Sequence, residues 1–314
     1  MSNRLLSSLL ALTPLATLTL SLTPARAELT PEQLRMPVEA DAPNPSLSKI
    51  ILLAGSTSNK PGQHEYFAGC ALLHDWLKQT PGVWPVLVAE GWPKNEALFK
   101  DAKAVVVYAD GGPKLPFLTP DRWNVIKDLV SKGAGLVMLH QAVDVPEDKA
   151  AELQQWLGGV WQKDIGCRGH WDMEFSQFPS HPTLQGISTF AAPLDGWLYN
   201  LHFQPDAVPL LSAAVPEKSR STADAKSHPE RPEVVAWAYT RKDGGRSFAF
   251  TGCDLHRNWS VEGQRRFVLN GILWSAGAAV PKEGASASME PEAIKTNLDA
   301  KPQPTAATKP ATAQ

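Results

Sequence analysis

Cysteine is scarce in this chain of 314 residues: Cys70, Cys167 and Cys253 cannot form a closed disulfide framework, so a core must hold the fold. Neither HExxH nor a paired CxxC occurs, which removes the most diagnostic zinc spacings. Basic clusters are missing beyond residue 27, and the formal charge is −2. Without that electrostatic footprint, nucleic acid is not an expected partner. After the first 22 residues no apolar run reaches the roughly 20 residues of a spanning helix, so no membrane span is expected.

The two ends read as additions to a core. Arg4, the leucine-rich stretch Leu5 to Leu22 and Ala25-Arg26-Ala27 form a secretory signal pattern over 1–27. Cleavage is expected near Ala27, giving a periplasmic or secreted protein. Residues 28–46 carry four prolines and read as an irregular lead-in. Residues 282–314, rich in Ala, Pro, Thr and Lys, carry almost no large apolar side chains and are expected to be a disordered tail whose removal leaves activity unchanged.

Between them, over 47–281, strand and helix patterns alternate. Lys49–Ala54, Trp84–Ala89, Ala104–Tyr108 and the run Leu136–Leu139 read as buried strands. His64–Lys78, Thr119–Ser131, Asp148–Leu157 and Gln264–Ala276 read as helices, with Pro120 at a first helical position and Gly158-Gly159 as a stop. Val234–Tyr239 and Arg246–Thr251 form a hairpin pattern around Asp243-Gly244-Gly245. Residues 160–203 read mostly as loops and short strands. The alternation predicts one α/β domain, a three-layer sandwich around a mostly parallel sheet.

In such a sheet the carboxyl ends of the strands line the ligand crevice. His140 directly follows an apolar strand and is expected to face it, either as an acid, base or metal ligand or as a structural hydrogen-bonding residue. Asp254 and His256 follow the last strand, His64 and Glu65 follow the first, and Asp110 and Gly111 follow the third. Trp171, Asp195, Trp197, Asn258 and Trp259 add aromatic and polar groups suited to sugars, whose apolar faces stack on rings. Three imidazoles, His140, His170 and His256, would make a zinc-type centre with an open position if they converge.

Several of these segments together resemble the ThuA-like (trehalose utilisation) family. The resemblance runs through Ile50 to Gly55, Gly62-Gln63-His64-Glu65-Tyr66, Tyr108 to Gly112, Gly133 to Val143, His170-Trp171, His181-Pro182, Asp195 to Asn200, Val235 to Ala238, Phe250-Thr251-Gly252 and His256 to Trp259. It implies the class I glutamine amidotransferase-like (flavodoxin-like) architecture, but with His140 near the position of that fold's cysteine nucleophile, so thiolate glutamine hydrolysis is not expected. Where relatives often carry a histidine before the final His-x-Asn-Trp, this chain has Asp254, which can still ligate a metal or act as a base.

The resulting expectation is an exported protein acting on a small carbohydrate, a sugar or keto-sugar glycoside, by hydrolysis or elimination. His140, His256 and Asp254 would be catalytic, His64, Glu65, Asp110, Gly111, Trp171, Asp195, Trp197, Asn258 and Trp259 substrate-binding, and a divalent metal such as zinc an assisting cofactor. The alternative is a sugar-binding module without catalysis on the same fold. Oligomeric state is not legible.

Overall fold

The computed structural model describes residues 28–302. The expected leader over 1–27 and the last residues of the expected tail, 303–314, lie outside the described residues. In chain order the elements are β1 (Ser48–Ala54), α1 (Tyr66–Leu77), β2 (Val83–Val88), β3 (Ala104–Tyr108), α2 (Pro120–Ser131), β4 (Gly135–Leu139), α3 (Glu147–Leu157), β5 (Gly159–Val160), β6 (Cys167–Phe175), β7 (Phe190–Tyr199), β8 (His202–Phe203), β9 (Val208–Ala213), α4 (Ala223–Lys226), β10 (Glu233–Thr240), β11 (Arg246–Phe250) and α5 (Glu262–Ser275).

The central sheet runs β2-β1-β3-β4-β11-β10-β9. β2, β1, β3, β4 and β11 are parallel, and β10 and β9 pair antiparallel at one side. Both faces are covered, which explains why β1 and β3 are continuous apolar runs rather than alternating ones. Ile50 and Leu52 pack with α1 and α5 on one face, while Ile51 and Leu53 pack with α2 and α3 on the other. After β1 the chain goes out to β2 and returns to the opposite flank of β1 as β3. That reversal opens a crevice at the carboxyl ends of β1 and β3.

Two regions differ from the sequence reading. The stretch expected to be loops and short strands contains the two long strands β6 and β7, which pair as a separate antiparallel ribbon. β6 alternates inward and outward residues throughout, but β7 does not: Trp171 pairs with Asp195 and Met173 with Ala192, so β7 carries an extra residue there and its own period of two breaks.

The second is the tail. Residues 282–302 are not disordered but pack against the domain as a strap: Ala285 and Ala287 are buried, Trp76 Nε1 donates to Ser288 O at 2.9 Å, and Arg265 Nε donates to Ala287 O at 2.9 Å. Composition misleads here because the strap is held through its backbone, by polar side chains of the core, and needs little apolar area of its own. At its end, Lys301 places a buried ammonium 3.1 Å from Glu65 Oε1 and 3.1 Å from His64 O, and donates also to Gln63 O.

Candidate metal centre

β4 ends at Leu139, and the chain turns at once into a short 3-10 segment, His140–Val143. His140 takes φ +53°, a left-handed backbone that non-glycine residues adopt rarely and that marks strained functional turns. Its Nδ1 lies 3.0 Å from Thr251 O. A carbonyl only accepts, so Nδ1 carries the proton and Nε2 of the neutral ring keeps its lone pair. That Nε2 lies 3.1 Å from His64 Nε2 and 3.7 Å from Asp254 Oδ1.

His64 is set by the loop after β1, also left-handed at φ +49°. Its Nδ1 lies 2.9 Å from Asp110 Oδ1, an oxygen that also accepts from Ser58 Oγ at 2.9 Å and Tyr66 OH at 2.7 Å. A carboxylate behind one ring nitrogen fixes the tautomer and aims the other nitrogen, an arrangement typical behind metal-binding histidines. The aimed atom, His64 Nε2, is 3.3 Å from Asp254 Oδ1. Lys301, gripping the carbonyls of residues 63 and 64 from behind, holds this strained loop in place.

Asp254 follows β11. Its backbone N–H and those of Cys253 and Leu255 all donate to Asp195, at 3.0, 2.9 and 3.2 Å. Asp195 is fully buried, and burial pushes its carboxyl up to about 6 despite those bonds. Gly196 beside it is a contact glycine: a Cβ there would lie 2.5 Å from Asp254 Oδ2. Oδ2 itself accepts from His170 Nε2 at 2.6 Å and Gln63 Nε2 at 3.1 Å. Oδ1 is buried and has no hydrogen-bond partner among the described residues. An orphaned anionic oxygen facing two imidazole nitrogens is costly unless a cation or proton joins them.

The electrostatics divide the pair of histidines. Burial lowers His140 to about 4, and His64 and Arg168 push the same way against Asp254. Burial also lowers His64, but the carboxylates of Asp110 and Asp254 beside it outweigh that and raise it above the usual imidazole value. Burial would raise Asp110 and Asp254, yet the histidines beside them hold both well below the usual carboxylate range. Of the two rings, His64 is thus the stronger base and His140 the weaker.

The donors fit a divalent ion. His64, His140 and Asp254 each offer one ligand atom, all within 4.8 Å of one another. Two nitrogens bound to zinc at about 2.0–2.1 Å sit roughly 2.9–3.4 Å apart in tetrahedral or octahedral geometry; the two Nε2 atoms here are 3.1 Å apart.

The expected site is thereby corrected. His140 and Asp254 meet, as do the expected binding residues His64 and Asp110. His170 reaches the centre only through Asp254, and His256 is not part of it: its Nε2 bonds Ile294 O at 3.0 Å, against the strap. The expected triad His140–His170–His256 is thus replaced by His64–His140–Asp254. Glu65, expected to bind substrate, is buried, and its carboxylate accepts from Gly62 N, Asp299 N and Lys301. Gly111 lies tight under Gln141, where a Cβ would meet the carbonyl at 2.0 Å.

Trp171, Trp197, Asn258 and Trp259 are buried, so none offers a stacking surface, and Asp195 acts on backbone. Ser58, Gln63, Tyr66 and Thr251 were missed, although Gln63 and Tyr66 flank His64 in the segment that suggested the family. Cys253 lies next to Asp254, but its fully buried thiol is pushed well above the usual thiol range.

A mostly parallel three-layer α/β domain with a buried His/His/Asp cluster at its strand ends defines the class. The family model for trehalose utilisation, ThuA, matches residues 56–275, and the chain belongs to that family. Among solved structures it is similar to a ThuA-like protein of Parabacteroides merdae, at 13% identity, covering 77% of this chain and 96% of that one, with a TM-score of 0.53. A ThuA-like protein of Bacteroides uniformis gives 14% identity, 74% and 93% coverage, and a TM-score of 0.51. At that identity these two speak for the fold alone. No curated protein sequence matches the chain.

Proposed function

We propose that this ThuA-family chain is an exported enzyme acting on a sugar or keto-sugar glycoside by hydrolysis or elimination, assisted by a divalent cation such as zinc on His64, His140 and Asp254. The observation that carries the reading is the convergence of the Nε2 atoms of His64 and His140 on Oδ1 of Asp254, a buried oxygen with no hydrogen-bond partner among the described residues. A cation bound there supplies Lewis-acid polarisation of a sugar oxygen. The protein's own groups do the rest. Thr251 O and Asp110 hold the two rings in their ligating tautomers. Asp195 and Gly196 hold Asp254 in place. His170, whose side chain is half exposed, keeps a proton on Nε2 at Asp254 Oδ2 and stands where the centre meets solvent.

Elemental analysis of the purified full chain, before and after chelation, tests the cation. About one divalent ion per chain, lost in His140→Ala with the fold retained by circular dichroism, is expected. Stoichiometry near zero after incubation with excess zinc, manganese and iron(II) overturns the reading.

A further inference from the structure

Beside the centre lies a cavity of about 620 Å³, within the roughly 300–1,000 Å³ of small-molecule sites. Gln63 and His170, the two side chains that bond Asp254 Oδ2, form part of its wall, so it adjoins the candidate metal centre. Its charged lining is of one sign: Lys60, Arg257 and Lys295, with no carboxylate among the residues that form the wall. The whole chain has 30 basic and 32 acidic residues, so this bias is local. Lys295 is paired with Glu292 at 3.0 Å. Lys60 and Arg257 are exposed and have no carboxylate partner among the described residues.

A further observation suits a sugar. Leu194 and Leu298, two of the few exposed large apolar side chains, line the same cavity. Leu194 is held left-handed, at φ +48°, by a bond from its N–H to Asp172 at 2.8 Å. Strain of this kind persists only where the surroundings impose it, and here it presents an apolar side chain to solvent.

We propose that this cavity is a subsite for an anionic saccharide, with Arg257 and Lys60 taking its carboxylate, sulfate or phosphate group, and Leu194 and Leu298 meeting the apolar face of the ring. The inference rests on reading the adjoining centre as one that works on sugars. An ionised acceptor roughly doubles the strength of a hydrogen bond and matches the guanidinium fork of Arg257.

The test is calorimetric titration of the full chain, at fixed ionic strength, with glucuronic acid, glucose 6-sulfate, glucose 6-phosphate and glucose. At least one anionic sugar should bind about tenfold or more tighter than glucose, and the arm with the largest gain identifies the anion. K60Q/R257Q, two surface changes, should abolish the preference, and His140→Ala should keep it. Equal binding of glucose, no binding in any arm, or a preference that survives K60Q/R257Q overturns the proposal. A preference in a chain that binds no cation sinks only the metal reading, and a bound cation without a preference sinks only this one.

Discussion

His140 and His256 are equally buried and equally weak as bases, each lowered to about 4, with burial the largest cause in both. Their surroundings are opposite. His140 is fastened through Nδ1 to the carbonyl of Thr251 and turns Nε2 toward His64 and Asp254. His256 is fastened through Nε2 to the strap and leaves Nδ1 unmatched. Burial and depressed basicity therefore do not identify a ligand. The acceptor behind the ring decides which nitrogen is free, and the groups in front of that nitrogen decide its use.

The sharpest way to break this contrast is substitution at both positions. His140→Ala should abolish detectable divalent binding in competition with a chromophoric chelator, because even a lost bond behind a ligand costs about 10–100-fold in affinity. His256→Gln should leave cation affinity as in the parent. A comparable fall in both variants would erase the distinction.

Lys301 touches both neighbourhoods, gripping the His64 loop and lying among the charges that act on His256. Lys301→Met leaves the buried Glu65 without its partner, a loss of about 3–5 kcal/mol. Urea unfolding should show it, and an unchanged midpoint would mean that the strap is not anchored there.

Acid tests the trait that the two histidines share. The folded His256 value lies below its unfolded value of 6.5, so the unfolded chain binds more protons between pH 6.5 and 4, and stability falls as pH falls through that window. Burial drives this shift, Lys301 adds to it and Glu65 opposes it. Relative to His256→Gln, the parent should lose about 3 kcal/mol over the window; parallel stability curves would contradict the assignment.

The smallest effect is expected at Asp110. D110N keeps the shape but weakens the acceptor behind His64 Nδ1, and cation affinity should fall about 10–100-fold. No change would show that Tyr66 and Ser58 alone suffice to orient that acceptor's neighbour.

The parallel core was readable because strands buried on both faces must be continuous apolar runs. Ala104–Tyr108 and Arg246–Phe250 stand where their patterns placed them. His140, Asp254, His64 and Asp110 were readable for a topological reason: the residue after a parallel strand is delivered to one edge. Side-chain direction was not readable. His256 stands two residues beyond Asp254, yet the turn into the 3-10 segment His256–Ser260 carries its ring to the strap. The aromatic residues of β6 and β7 suggested a sugar platform, but Trp171 and Trp197 fill the space between the ribbon and the sheet instead. The strap itself was hidden because polar anchoring of a small-residue segment leaves no hydrophobic period.

The contact between Lys301 and the carbonyl of residue 64 joins positions 237 apart in the chain. The stiffness of the turn carrying His64 is thus tied to the docking of a distant segment: whatever loosens the strap also loosens that turn, without touching any of the metal-facing side chains.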